Sequence, residues 1–162
     1  MDTQVEQFLD KADDSNRFVI ELAMRLYVEI GPAEHGGATH DGFRRNYPIV
    51  GGYFRGPRIA GDVIPGGADI SLERNDGVTV LDAVYRIRAE NGQVIVVDNK
   101  GIWRKTEGQI DRTVGNYYLR TTPRFLAPEG PHAWLNRNVF VGTVDDVDDN
   151  RLIVSCYRLF GR

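Results

Sequence analysis

From Asn46 onward the chain repeats one local pattern: a short run of alternating apolar and polar residues, closed by a turn that contains glycine. The runs read "NYPIVGGYFRG", "RIAGDVIPGG", "ADISLERNDG", "VTVLDAVYRIRAENG", "QVIVVDNKG", "NYYLRTTPRF", "WLNRNVFVG" and "RLIVSCYRLF". A period of two places successive side chains on opposite faces of an extended backbone, so each run predicts a strand. The "RNDG" and "AENG" tips predict tight hairpins, because Asn or Asp ahead of Gly suits left-handed turn positions. Upstream, "RFVIELAMRLYVEIG" sets Phe18, Ile20, Leu22, Met24, Leu26 and Val28 opposite Glu21, Arg25 and Glu29, a long strand ending at Gly31–Pro32. Eight or nine strands with little helix leave an antiparallel barrel or a sandwich. Polar residues on both faces of long strands favour the barrel, since a closed sheet can enclose a small polar interior.

What lies outside the strands is short. Val5, Phe8, Leu9 and Ala12 fall at helical spacing and predict a helix over 3–12, broken by Asp13, Asp14, Ser15 and Asn16. The expected layout is a helical extension over 1–15 and a single β-barrel domain over 16–162. At 162 residues such a domain buries roughly 70% of the surface its unfolded chain exposes. "PAEHGGATHDGFRR", residues 32–45, has no period and reads as a loop or lid. Its His35 and His40 are read as solvated loop side chains ahead of a metal-binding pair. Residues 101–116, "GIWRKTEGQIDRTVGN", are weak in pattern and fit a helical turn or loop.

Several function classes drop out. A net charge of -3 offers no electrostatic attraction to nucleic acid or an anionic membrane. The one cysteine, Cys156, lies in a strand and reads as a buried thiol, and it cannot form an intrachain disulfide or a cysteine-based zinc site. No phosphate loop, dinucleotide fingerprint, nucleophile elbow or HExxH appears, so no cofactor or metal is expected. The start is acidic, and no stretch reaches the ~18 apolar residues of a membrane span, which makes the cytoplasm the expected location.

The candidate site residues are polar groups on strands. Asp82 shares a face with Val80 and Val84, far from any turn; Asp69 follows "VIPGG", and Asp98 follows "VIVV". Tyr118, Arg120 and Thr122 share one face of "YYLRTTP". "HAWLNRNVFVG", read as extended, puts Trp134, Asn136 and Asn138 on one side. An aspartate desolvated among aromatics moves protons near neutral pH, and Arg120, Tyr118 or Lys100 can steady an oxygen that gains charge. Trp134 can stack on a flat molecule while Asn136 orients a carbonyl. The competing reading is structural: Arg86 and Arg88 share the Asp82 side and suit an ion-pair ladder, and Arg120 can pin a carboxylate of the chain instead of a ligand.

The segments "IVGGYFRGPRIAGDVIPGGADI", "DGVTVLDAVYRIRAENGQVIVVDNKG", "YYLRTTPRF" and "WLNRNVFVG" together resemble the family called domain of unknown function 3237, also named uncharacterised protein family 0311. The resemblance runs from about Phe18 to Tyr157. It implies a small antiparallel barrel, lipocalin-like or allene-oxide-cyclase-like. It also implies that the family's recurring polar positions fall on Asp69, Asp82, Tyr85, Asn99, Tyr118, Arg120, Trp134 and Asn136. Two positions depart from the family pattern: Ile70 stands where Trp is common, and Val84 where Arg is frequent. Substrate contacts at those positions are therefore not carried over.

The expected function is that of a cofactor-independent lyase, isomerase or cyclase acting on a small aromatic or polyketide-like carbonyl compound. Asp82 or Asp69 is the expected base, with Arg120 and Tyr118 at the oxyanion. Trp134, Asn136, Lys100, Tyr85 and Asn99 are the expected substrate-binding residues. The alternative is a non-catalytic carrier barrel that grips a carboxylated apolar molecule. The expected partner is a small organic molecule, and the barrel's edges and amino-terminal helix suggest a homodimer.

Overall fold

The computed structural model describes residues 5–7, 18–106 and 116–161. Among them lie nine strands: β1 (Val19–Ile30), β2 (Glu34–Thr39), β3 (Gly42–Arg55), β4 (Ala60–Arg74), β5 (Thr79–Ala89), β6 (Val94–Lys105), β7 (Tyr117–Leu126), β8 (Val139–Asp148) and β9 (Arg151–Phe160). Antiparallel pairing runs in the order β1-β9-β8-β7-β6-β5-β4-β3, and β3 pairs back onto β1. Eight strands therefore close into a barrel. β2 is the addition, and it continues the path of β1 along β3: Ile30 faces Ile49, and Glu34 faces Asn46.

The hairpin expectations hold where the turn chemistry is strong. Gly77 and Gly92 take φ of 83° and 86°. Asp76 and Asn91 accept backbone hydrogen bonds from Val78 and Gln93 across the same turns. Residues 32–45 differ from the expected loop. They hold β2 and the first residues of β3, and "EHGGAT" hid a strand because it has no apolar face; its order comes from pairing with β3. His35 there packs edge-on to Phe43, with ring centroids 6.2 Å apart. Residues 5–7 are helical, and the rest of the helix expected over 3–12 lies outside the described residues.

Bulges reset the alternation. The register shift between Leu22 and Met24 leaves Phe18 and Ile20 on the outside, 78% and 56% exposed, while Met24, Leu26 and Val28 face in. On β3 a shift near Gly51 moves the inward set from Tyr47 and Ile49 to Phe54.

The two ends of the barrel differ. The end that carries the β5–β6 turn is packed solid with Met24, Leu26, Phe54, Ile87, Ile95, Val97, Phe125, Phe140 and Cys156, all under 2% exposed. Phe125 and Phe140 meet edge to face at 5.0 Å. Burial pushes the Cys156 thiol up to about 12, so it stays protonated. "HAWLNRNVFVG" does not run as one strand. Ala133–Arg137 form a 3-10 helix that drops Leu135, 1% exposed, into this end as a plug, and the extended run begins only at Val139. No helix among the described residues is long and apolar enough to cross a membrane.

Candidate functional site

The other half of the barrel is hollow. A cavity of about 640 Å³ opens at the end that carries the β4–β5 and β8–β9 turns, a volume that suits a small organic molecule. Its wall is mostly apolar, with Val28, Ile49, Leu81, Leu119, Val154 and the face of Trp103. Trp103 is itself held by stacking on Tyr117, with centroids 6.4 Å apart.

Polar groups enter this wall from the inward parity of four strands. Tyr85, Asn99 and Thr121 line the cavity and are 4%, 5% and 2% exposed. Tyr85 Oη, Asn99 Oδ1 and Thr121 Oγ1 are all buried without a hydrogen-bond partner among the described residues. A buried polar atom left unpaired costs about 1–3 kcal/mol, so these three make the wall beside the cavity costly to keep packed. Burial pushes the Tyr85 phenol above its ordinary value and keeps it a neutral O–H.

Asp69 shares a cross-strand rung with Ala83 and Asn99. The small Ala83 side chain leaves the middle of that rung open, and two inter-strand spacings set Asp69 and Asn99 roughly 10 Å apart along the wall. Oδ1 of Asp69 accepts the backbone N–H of Asp82 at 2.8 Å. Oδ2 takes no hydrogen bond among the described residues, and the residue lines the cavity. Burial pushes its carboxyl up to about 6; the Asp82 N–H opposes this, and the Asp82 charge adds to it.

The rim is acidic. Glu73, Asp146, Asp148 and Asp149 line it, and among the described residues Arg45 is the only lining cation. Arg45 pairs with Glu73 at 2.6 Å, and Arg151 pairs with Asp148. Burial and the neighbouring Asp145 raise the carboxyl of Asp146, while its hydrogen bonds with Arg151 lower that of Asp148.

Of the residues expected from sequence, the structure brings Asp69, Tyr85 and Asn99 together in the cavity. The rest lie elsewhere. Asp82 sits on the outer parity of β5, between the inward Leu81 and Ala83, and takes an ion pair at 2.8 Å from Lys100, also outside. Asp98 is likewise external, bonded to Arg124 at 3.2 Å. Tyr118 and Arg120 occupy the outer face of β7, where the guanidinium lies 5.3 Å from the Tyr118 ring and donates to the Leu119 carbonyl. Trp134 lies at the plugged end between Arg58, at 4.5 Å, and Phe140. Asn136 is a clamp: its amide both donates to and accepts from the backbone of Ala127, at 2.8 Å each. Thr121, Trp103, Ser71 and Arg45 are cavity residues that sequence reasoning did not single out. Sharing parity with Tyr85 and Asn99 across paired strands was the signal that could have found Trp103 and Thr121.

The sequence and fold both have known relatives. The family described as protein of unknown function DUF3237 matches residues 19–159. A UPF0311 protein of Rhodopseudomonas palustris is 36% identical over 127 residues, 73% of this chain and 82% of the relative. A solved β-barrel-like protein of Acinetobacter baumannii superposes with a TM-score of 0.80 at 27% identity, over 89% of this chain and 97% of that one. An enzyme from Penicillium herquei shares the fold, with a TM-score of 0.69 at 20% identity, over 90% and 96% of the two chains. With the match spanning all but the last residue of the barrel, this chain belongs to the DUF3237 family, the UPF0311 proteins of closed antiparallel β-barrel architecture.

Proposed function

We propose that the barrel is a cofactor-independent acid–base enzyme that isomerises or cyclises a small aromatic carbonyl compound, with Asp69 as the base. The observation that carries this reading is the Asp69 carboxyl. It is half-buried against an apolar wall, fixed through one oxygen and pushed up to about 6. A base in that range is mostly ionised at neutral pH yet accepts a proton more readily than an ordinary aspartate. Asp69 takes a proton from the carbon next to the carbonyl, and the electron pair of that C–H bond moves onto the carbonyl oxygen. Asn99, a neutral amide that lines the cavity on the Asp69 rung, is the donor assigned to this developing charge. The proton then returns to another atom of the same molecule, so the step balances without a co-reactant. The Penicillium herquei protein, called an enzyme, lends support that this architecture can host catalysis.

The test is hydrogen–deuterium exchange of 2-tetralone in D2O, followed by NMR. The protein should accelerate loss of the proton next to the carbonyl, with an inflection near pH 6. Asp69→Asn should lower that rate by about a hundredfold, within the range usual for a general base, while Asp82→Asn, which removes only a neighbouring charge, changes it far less. Equal exchange by Asp69→Asn and the parent would remove Asp69 from the role. The mostly apolar cavity also suits a carrier, and binding of 2-tetralone without exchange would favour that second reading.

A further inference from the structure

We propose that the cavity admits neutral or cationic aromatic molecules and excludes anions of the same skeleton. This deepens the reading above by naming a ligand class; it uses the same cavity but does not depend on chemistry at Asp69.

The charges that line the walls point this way. Among the described residues five carboxylates and one guanidinium line the cavity, and Arg45 is already committed to Glu73. Asp148 is matched by Arg151, which leaves Asp69, Asp146 and Asp149 with no cationic partner among the described residues. An entering carboxylate loses hydration, meets this negative field and finds no free cation among the described residues to replace water. Low-dielectric walls lined by one sign of charge focus the field at the mouth and favour the opposite sign.

The inner polar groups offer an anion no compensation. Tyr85, Asn99 and Thr121 line the cavity, are each more than nine-tenths buried and are neutral, so a carboxylate that passes the rim meets no opposite charge.

Isothermal calorimetry with three probes tests this at pH 7.5 and low salt: 2-naphthol, 2-naphthylmethylammonium and 2-naphthoate. The neutral and cationic probes should bind at least tenfold more tightly than the anion. The Asp146→Asn, Asp149→Asn double variant, checked for fold by circular dichroism, should shrink that gap severalfold, as should added salt. Naphthoate binding as tightly as naphthol overturns the proposal. So does a gap unchanged by the double variant, or failure of all three probes to bind. Calorimetry reads no turnover. Tight naphthoate binding alongside Asp69-dependent exchange would sink only this inference, and the reverse pattern only the assignment of the base.

Discussion

An aspartate whose folded-state value is about 6, against 3.8 for the free side chain, ties stability to pH in a definite direction. Below pH 4 Asp69 is protonated in both states and costs nothing. Between pH 4 and 6 the folded chain holds the extra proton, so stability falls as pH rises, and above 6 the loss is complete. The shift sets an upper bound of about 3 kcal/mol on that loss. Asp69→Asn keeps an acceptor for the Asp82 N–H but carries no charge. Thermal melts should therefore show it more stable than the parent at pH 7.5 and equal to it near pH 4; equal melting at both would contradict the burial argument. A second residue-scale prediction concerns Thr121, which stands between Gly101 and Gly142 on neighbouring strands. A Cβ on Gly142 would lie 2.4 Å from Thr121 Oγ1. Gly142→Ala should cost about 1–3 kcal/mol in urea denaturation, and much less in a Thr121→Ala background. Site legibility at this scale turned on parity. Asp82, Lys100, Arg120 and Tyr118 looked internal because the outer face of their strands also carries Val80, Val84 and Ile102. Apolar residues on both sides hide which parity is in.

The 3-10 helix shows what one short element contributes. Leu135 fills the closed end, so Leu135→Ala should cost about 2–5 kcal/mol, the usual range for emptying a packed site. Asn136 holds the helix against the end of β7 by standing in for a strand partner to Ala127. Asn136→Ala should cost about 1–3 kcal/mol and loosen the plug, seen as faster amide exchange at Ala127, with cavity ligand affinity unchanged. Five residues are too few to display a helical period, which is why "WLNRN" passed for part of a strand. The same limit hid β2, whose strand character resides in its partner and not in its own side chains. Strong alternation and Asn-Gly or Asp-Gly turns were enough for the β4–β5 and β5–β6 hairpins.

The architecture itself was the most legible layer, because strand count and turn spacing exclude helical folds whatever the parity of any one strand. The closure was not legible: nothing local to β1 says that it pairs with both β3 and β9. Closure joins segments more than a hundred residues apart, so folding should be slow, in the range of milliseconds to seconds, as stopped-flow refolding would show. Deleting Arg151–Phe160 should open the barrel along one edge of β1 and of β8 and leave the protein unfolded by circular dichroism. The same seam has a further consequence. Val19 and Phe160 are direct cross-strand neighbours, so the first and last strands are flush at the plugged end. A short linker could join them there, and the chain could be reopened at the Asp76–Gly77 tip. Such a circular permutant would rebuild the same wall from a different starting point.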